Sequence, residues 1–203
     1  MIIVAGDSNH HPKYSNYVKN NISVWTDMLN VEVNNVSKSG VGNDFICDAV
    51  LRSVQEKQID HVYVFWSEWY RVLKTPNKES QTWLKTISDE EFKQIANLNI
   101  NLFYSLQSAL KQMNLNYTFY QDLWPWPHMK IDKMLKTANV LMEHPLYDLI
   151  DKDKFWGWPI HPYMGGKCLV DLKVDDLSET NNHYGQKTHD FFAKNIIDKG
   201  MSL

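Results

Sequence analysis

Cysteine is almost missing from this 203-residue chain. Only Cys47 and Cys168 occur, far apart and outside any CxxC or Cys/His spacing. A disulfide framework and a cysteine-built zinc site are thereby excluded, and two reduced core thiols are the reading that remains. Long apolar runs are missing too, with nothing near the roughly 20 consecutive residues a membrane-crossing helix needs. A surplus of positive charge is the third absence. The 21 basic side chains face 24 acidic ones, a net charge of −3 with neutral histidine, so no global field recruits nucleic acid or an anionic membrane surface. Internal repeats and low-complexity tracts are absent as well. Met1–Ala5 is too short for the apolar region of a signal peptide and runs straight into Gly6-Asp7-Ser8. With no secretory signal, a cytoplasmic or virion-associated protein is expected.

What is present is an ordinary globular composition, 43% hydrophobic, with a high aromatic share of 13% and eight tryptophans. The length suits a single soluble domain over residues 1–203 that buries a core without metals or disulfides. Apolar runs of strand length occur at Ile2–Ala5, Val31–Val36, His61–Trp66 and Tyr117–Tyr120. Between them, Ser15–Leu29, Asp44–Gln58 and Ser88–Met113 carry apolar residues near helical spacing. The last opens with Ser88-Asp89-Glu90-Glu91, the pattern of an N-cap with a carboxylate three residues on. Strand and helix in alternation predict a short, mostly parallel sheet in a three-layer α/β/α, flavodoxin-like fold. Residues 122–174 break the alternation and read as an aromatic-rich insertion with a helix around Asp132–Met142. The chain returns to helix through His183–Asp198.

In an open parallel sheet, ligands bind beyond the carboxyl ends of the strands. Gly6-Asp7-Ser8-Asn9 lies there for the first strand, where a Gly allows a sharp turn and Ser8 can present its hydroxyl. A helix cap or a phosphate-holding turn fits the same residues. A hydroxyl becomes a nucleophile when a base takes its proton, and His183, just before the last helix, can face the same edge. Ser39-Gly40-Val41-Gly42-Asn43 follows the second strand and can bring backbone N–H groups to a developing oxyanion. His10-His11 reads as a solvated turn rather than a metal site.

Together, Gly6-Asp7-Ser8, Gly40 and His183, followed by His189 and Ala193, resemble the blocks of the SGNH (GDSL-type) hydrolase family. Val64-Phe65-Trp66-Ser67-Glu68-Trp69-Tyr70-Arg71 makes phage-like variants of that family look most similar. The resemblance implies a Ser8 nucleophile, a His183 base, and an oxyanion site from the backbone of Ser8 and Gly40. It implies acyl transfer without metal or cofactor. Two family positions differ. The Asn of the third block is missing after the third strand, leaving Ser67 or Asn43 as the side-chain donor. The Asp three residues before the histidine is replaced by Thr180, leaving Glu179, Asp176, a backbone carbonyl or nothing to orient His183.

The expected partner is a small-molecule or glycan ester, without nucleic acid or membrane, and the oligomeric state is not readable. Asp7, Trp66, Glu68, Arg71, Trp156 and Trp158 are candidate substrate contacts, since flat rings beside polar groups suit sugar faces. The competing expectation is a non-catalytic protein of the same fold that binds glycan or forms part of a virion.

Overall fold

The computed structural model describes residues 1–55, 58–73, 78–126 and 131–196. Five strands form one parallel sheet: β1 (Ile2–Ala5), β2 (Val33–Asn35), β3 (His61–Trp66), β4 (Tyr117–Gln121) and β5 (Phe155–Trp156). Their order is β2-β1-β3-β4-β5, that of the flavodoxin-like doubly wound fold. The helices are α1 (Ser15–Lys19), α2 (Asn43–Ser53), α3 (Lys78–Thr86), α4 (Asp89–Gln112), α5 (Ile131–Met142) and α6 (Gln186–Ile196).

Strand alternation divides the core in two. Ile3, Ala5, Val62, Val64, Trp66, Tyr117 and Phe119 face one side, where Ile46 and Val50 of α2 and Phe92 to Leu110 of α4 cover them. Ile2, Val4, Tyr63, Phe65 and Tyr120 face the other, against Tyr17, Trp25, Phe192 and Ile196. Both faces are buried, which is why these strands read as unbroken apolar runs rather than alternating ones. Each fully buried large side chain contributes about 1.5–3 kcal/mol.

The expected elements differ from the observed ones in several places. Ser15–Leu29 is not one helix: α1 stops at Lys19, Asn21 takes φ +54°, and a 3-10 turn at Trp25–Met28 follows. Asparagine tolerates this left-handed backbone better than most residues, so Asn20-Asn21 ends the helix. The second helix ends at Ser53, and residues 56–57 of the expected Asp44–Gln58 lie outside the described residues. The insertion is partly core, because Phe155–Trp156 pairs with Phe119 and Tyr120 as the sheet's fifth strand. It also holds α5 as expected from the sequence. The last helix, expected from His183, begins only at Gln186 because His183 and Tyr184 belong to a strand, and Asp198, its expected end, lies outside the described residues.

The Ser88 cap does form. Ser88 Oγ accepts the Glu91 N–H at 3.2 Å, and the Glu91 carboxylate accepts the Ser88 N–H at 3.0 Å. A short antiparallel hairpin, β6 (Asp176–Ser178) and β7 (Asn181–Tyr184), leads into α6. No helix among the described residues is long and apolar enough to cross a membrane.

Candidate active site

β1 ends at Ala5, and the next residues turn beyond the carboxyl edge of the sheet, beside the β1/β3 point where strand order reverses. Local hydrogen bonds shape this turn: the Asn9 N–H donates to Asp7 Oδ1 at 2.9 Å, and the His10 N–H to the Asp7 carbonyl at 3.2 Å. Ser8 follows directly in this turn, with 7% of its surface exposed.

β7 brings His183 to this turn from 175 positions away in sequence. The Ser8 Oγ and His183 Nε2 are 2.9 Å apart. On the other side of the ring, His183 Nδ1 lies 2.6 Å from Asn181 Oδ1, and the His183 backbone N–H donates to that same atom at 3.2 Å. A backbone N–H can only donate, so the shared Asn181 atom is an acceptor, the amide oxygen. It follows that Nδ1 carries the ring proton and Nε2 is left to accept from Ser8. Tyr14 packs over the imidazole with ring centroids 4.6 Å apart.

Burial lowers the His183 pKa below the ordinary 6.5; Asp7 pulls it back up and Arg71 presses it down again. The imidazole is therefore neutral at neutral pH, the state in which it can take a proton.

Other expected site residues have different tasks. Asp176 is ion-paired with Lys173 at 2.5 Å, and Glu179 is exposed at the hairpin turn. Neither carboxylate orients His183, because the strand pairing puts Asn181 there instead. Sequence reading missed Asn181 by looking for an acid; an Asn two residues before the histidine was the available signal. Asn43 is fully buried and bonds the backbone of Ser67 in both directions, at 2.7 and 3.2 Å, and Asn99 at 2.7 Å. The Ser67 hydroxyl donates to Asp7 at 2.8 Å. Both side chains are committed to tying loops together, so neither is an oxyanion donor. The backbone N–H groups of Ser8 and Gly40 make no hydrogen bond with any described residue. Gly40 is exposed in its turn, with φ +73° and no atom within 4 Å of where a Cβ would stand.

The expected substrate contacts are mostly internal. Asp7 is buried and accepts from Ser67, Arg71 and the Asn9 backbone. Arg71 spans Asp7 at 3.3 Å and Glu68 at 2.6 Å, with all three side chains largely buried. This cluster braces the loop after β3 against the Ser8 turn. Trp66 is core, packed on Phe103 and Phe119. Trp156 and Trp158 line a separate cleft with His61 and Thr118, since β5 places Trp156 on the far edge strand.

Nor is His10 solvated. Fully buried, it accepts the Trp25 indole N–H at Nδ1, 3.0 Å away, and turns Nε2 toward Asp122 at 3.2 Å. Asp122 also accepts from the Tyr184 hydroxyl at 2.6 Å and the Asn9 amide at 2.9 Å. Burial alone would raise the Asp122 carboxyl, but His10, Tyr184 and Asn9 outweigh it and hold it below its ordinary value. The two residues flanking Ser8, Asp7 and Asn9, are thus each anchored through a buried carboxylate.

Among the described residues no group of His, Cys, Asp and Glu is arranged to hold a metal ion. Comparison with known proteins gives no match to any family model, curated protein or solved structure.

Proposed function

We propose that the protein is a serine hydrolase acting on an ester, and a divergent member of the SGNH (GDSL-type) family that its motifs resemble. The observation that carries this reading is the Ser8–His183–Asn181 relay, with a hydroxyl 2.9 Å from an imidazole nitrogen whose partner nitrogen is held as a donor.

In the reaction, Ser8 Oγ attacks the ester carbonyl carbon as its proton passes to His183 Nε2. The oxyanion is met by the backbone N–H groups of Ser8 and Gly40. His183 then protonates the departing alkoxide, and the acyl group stays on Ser8. A water attacks the acyl-enzyme, giving its proton to His183; the acid leaves and the Ser8 hydroxyl is restored. Asn181 holds the ring tautomer throughout, but as a neutral amide it stabilises the imidazolium less than a carboxylate would.

That neutrality favours a second reading, a non-catalytic relative that binds glycan or forms part of a virion. A serine-reactive fluorophosphonate separates the two. The hydrolase labels at Ser8, and both Ser8→Ala and His183→Ala abolish the label in folded protein. An unreactive, folded wild-type protein leaves the binding reading.

A further inference from the structure

A cleft lies away from Ser8. It opens beside His61, Thr118 and the edge strand β5, and has a volume of about 540 Å³. Trp156 and Trp158 line it together with His61, Thr118, Lys154 and Lys167. β5 is separated from β1 by three strand spacings, about 14 Å at roughly 4.8 Å each. His61 and Thr118 belong to the amino-terminal parts of β3 and β4, whereas Ser8 follows the carboxyl end of β1. The two sites are therefore distinct.

The cleft has a consistent chemistry. Trp156 is half-buried and packs on Tyr120, with ring centroids 6.3 Å apart, and the rest of its indole is available to the cleft. Trp158 is packed between Tyr147 and Phe155. Trp158 is thereby spent on the core, and Trp156, held against Tyr120 before any ligand arrives, is the ring left for stacking at a lowered entropic cost. Gly157 between them has φ +83°, and a Cβ there would stand 2.2 Å from the Lys167 carbonyl. The Lys167 N–H donates to the Gly157 carbonyl at 2.9 Å. The glycine turn thereby seats Lys167 beside the tryptophans.

Three lysines, at 152, 154 and 167, and one carboxylate, Asp153, line the cleft. In a chain of net charge −3, this is a local excess of positive charge. Lys152 is paired with Asp148 at 3.2 Å. Lys154 lies near enough to Asp151 to help hold that carboxyl below its ordinary value, and Lys167 is the lysine left to face the cleft. His61 adds no charge: burial and Lys154 push its pKa down to about 4, and its Nε2 lies 2.9 Å from the Thr118 hydroxyl.

We infer that this cleft binds an anionic saccharide, with a sugar ring against Trp156 and its carboxylate at Lys154 and Lys167. A pyranose has an apolar C–H face and a polar rim, which matches an indole bordered by a hydroxyl, an imidazole and ammonium groups. No arginine lines the cleft, so the cations act as point charges rather than as the bidentate fork that favours phosphate. The inference does not depend on hydrolysis at Ser8.

Calorimetric titration of the full chain with an oligogalacturonate, and with a neutral oligosaccharide of equal length, tests it. The acidic sugar binds the wild type and Ser8→Ala alike, more tightly than the neutral one, and more weakly as salt rises. Trp156→Ala abolishes binding. Because that variant removes a packed ring, Lys154→Glu/Lys167→Glu is the control that leaves the core intact, and it weakens binding by at least about tenfold. Equal affinity for the neutral sugar, no binding of either, or unchanged binding in the lysine variant would each overturn the inference.

Discussion

Asn181 Oδ1 accepts two hydrogen bonds from a single residue, the ring Nδ1–H and the backbone N–H of His183. The side chain that orients the imidazole is thereby itself oriented by the histidine's own backbone. The arrangement fixes the tautomer that Ser8 needs without placing a charge behind the ring. A neutral orienter and a buried imidazole act in the same direction, keeping His183 unprotonated.

Asn181→Asp puts a carboxylate where the amide is. Its negative charge beside Nδ1 raises the His183 pKa and, in the proposed reaction, stabilises the imidazolium that forms as Ser8 attacks. Fluorophosphonate labelling at pH 8 should accelerate by roughly tenfold, the rate change that about 1.4 kcal/mol of barrier represents. Asn181→Ala, which frees the ring, should slow it by a similar factor. If Asn181→Ala labels as fast as wild type, the amide has no part in orienting the base.

The rate of labelling should also report the titration of His183 directly. The reactive form has a neutral imidazole, so the rate falls as pH drops through the His183 pKa. Burial depresses that pKa, so the midpoint lies below 6.5 and the protein stays reactive at pH 6.5. Asn181→Asp moves the midpoint up. A wild-type midpoint above 6.5 would contradict the burial of the ring.

Much of this architecture is legible in the sequence, for identifiable reasons. Ile2–Ala5 and His61–Trp66 are read to the residue because strands buried on both faces need uninterrupted apolar runs. The Ser88 cap is legible because its reciprocal bonds are local. Ser8 and His183 are legible as types in a chain order, although their 2.9 Å contact depends on a hairpin that no periodicity announces. The remainder depends on long-range pairing. Nothing local says that Asn43 is spent on the Ser67 backbone, that Asp7 faces Arg71, or that His10 is buried against Trp25 and Asp122. The tryptophans mislead for the same reason. Trp25, Trp66, Trp69 and Trp126 are buried core, and composition cannot separate a ring that packs from a ring that binds.

Arg71 stands between two carboxylates, and its removal tests the brace behind Ser8. The guanidinium side chain is 10% exposed, Asp7 1% and Glu68 14%. Arg71→Ala leaves Asp7 buried with its charge unpaired, a loss of about 3–5 kcal/mol by comparison with other broken buried pairs. Urea denaturation measures it. Arg71→Ala/Glu68→Ala should recover little, because Asp7 is the more buried partner, whereas Arg71→Ala/Asp7→Asn should recover more. Equal recovery in the two double variants would show that Asp7 is not where the cost lies.

His189 should contribute to the acid sensitivity of the fold. It is fully buried on α6, edge-on to Tyr17 with centroids 5.1 Å apart, and neither ring nitrogen has a hydrogen-bond partner among the described residues. Burial and the neighbouring His10 push its pKa down to about 3, against the opposing pull of Asp122 and Asp175. The unfolded chain protonates this histidine near pH 6.5 while the folded chain refuses the proton. Its stabilising contribution is therefore complete above pH 6.5 and is lost progressively as pH falls from 6.5 toward 3. His61, pushed down to about 4, acts in the same direction over a narrower range. His189→Leu removes the titrating group and one buried polar ring while keeping an apolar side chain against Tyr17. In thermal melts the variant should gain on wild type by several degrees at pH 5 and show a smaller difference at pH 8, flattening the acid side of the stability curve. If wild type and His189→Leu lose stability in parallel between pH 8 and pH 5, the acid sensitivity resides elsewhere, and His61→Gln is the next variant to measure.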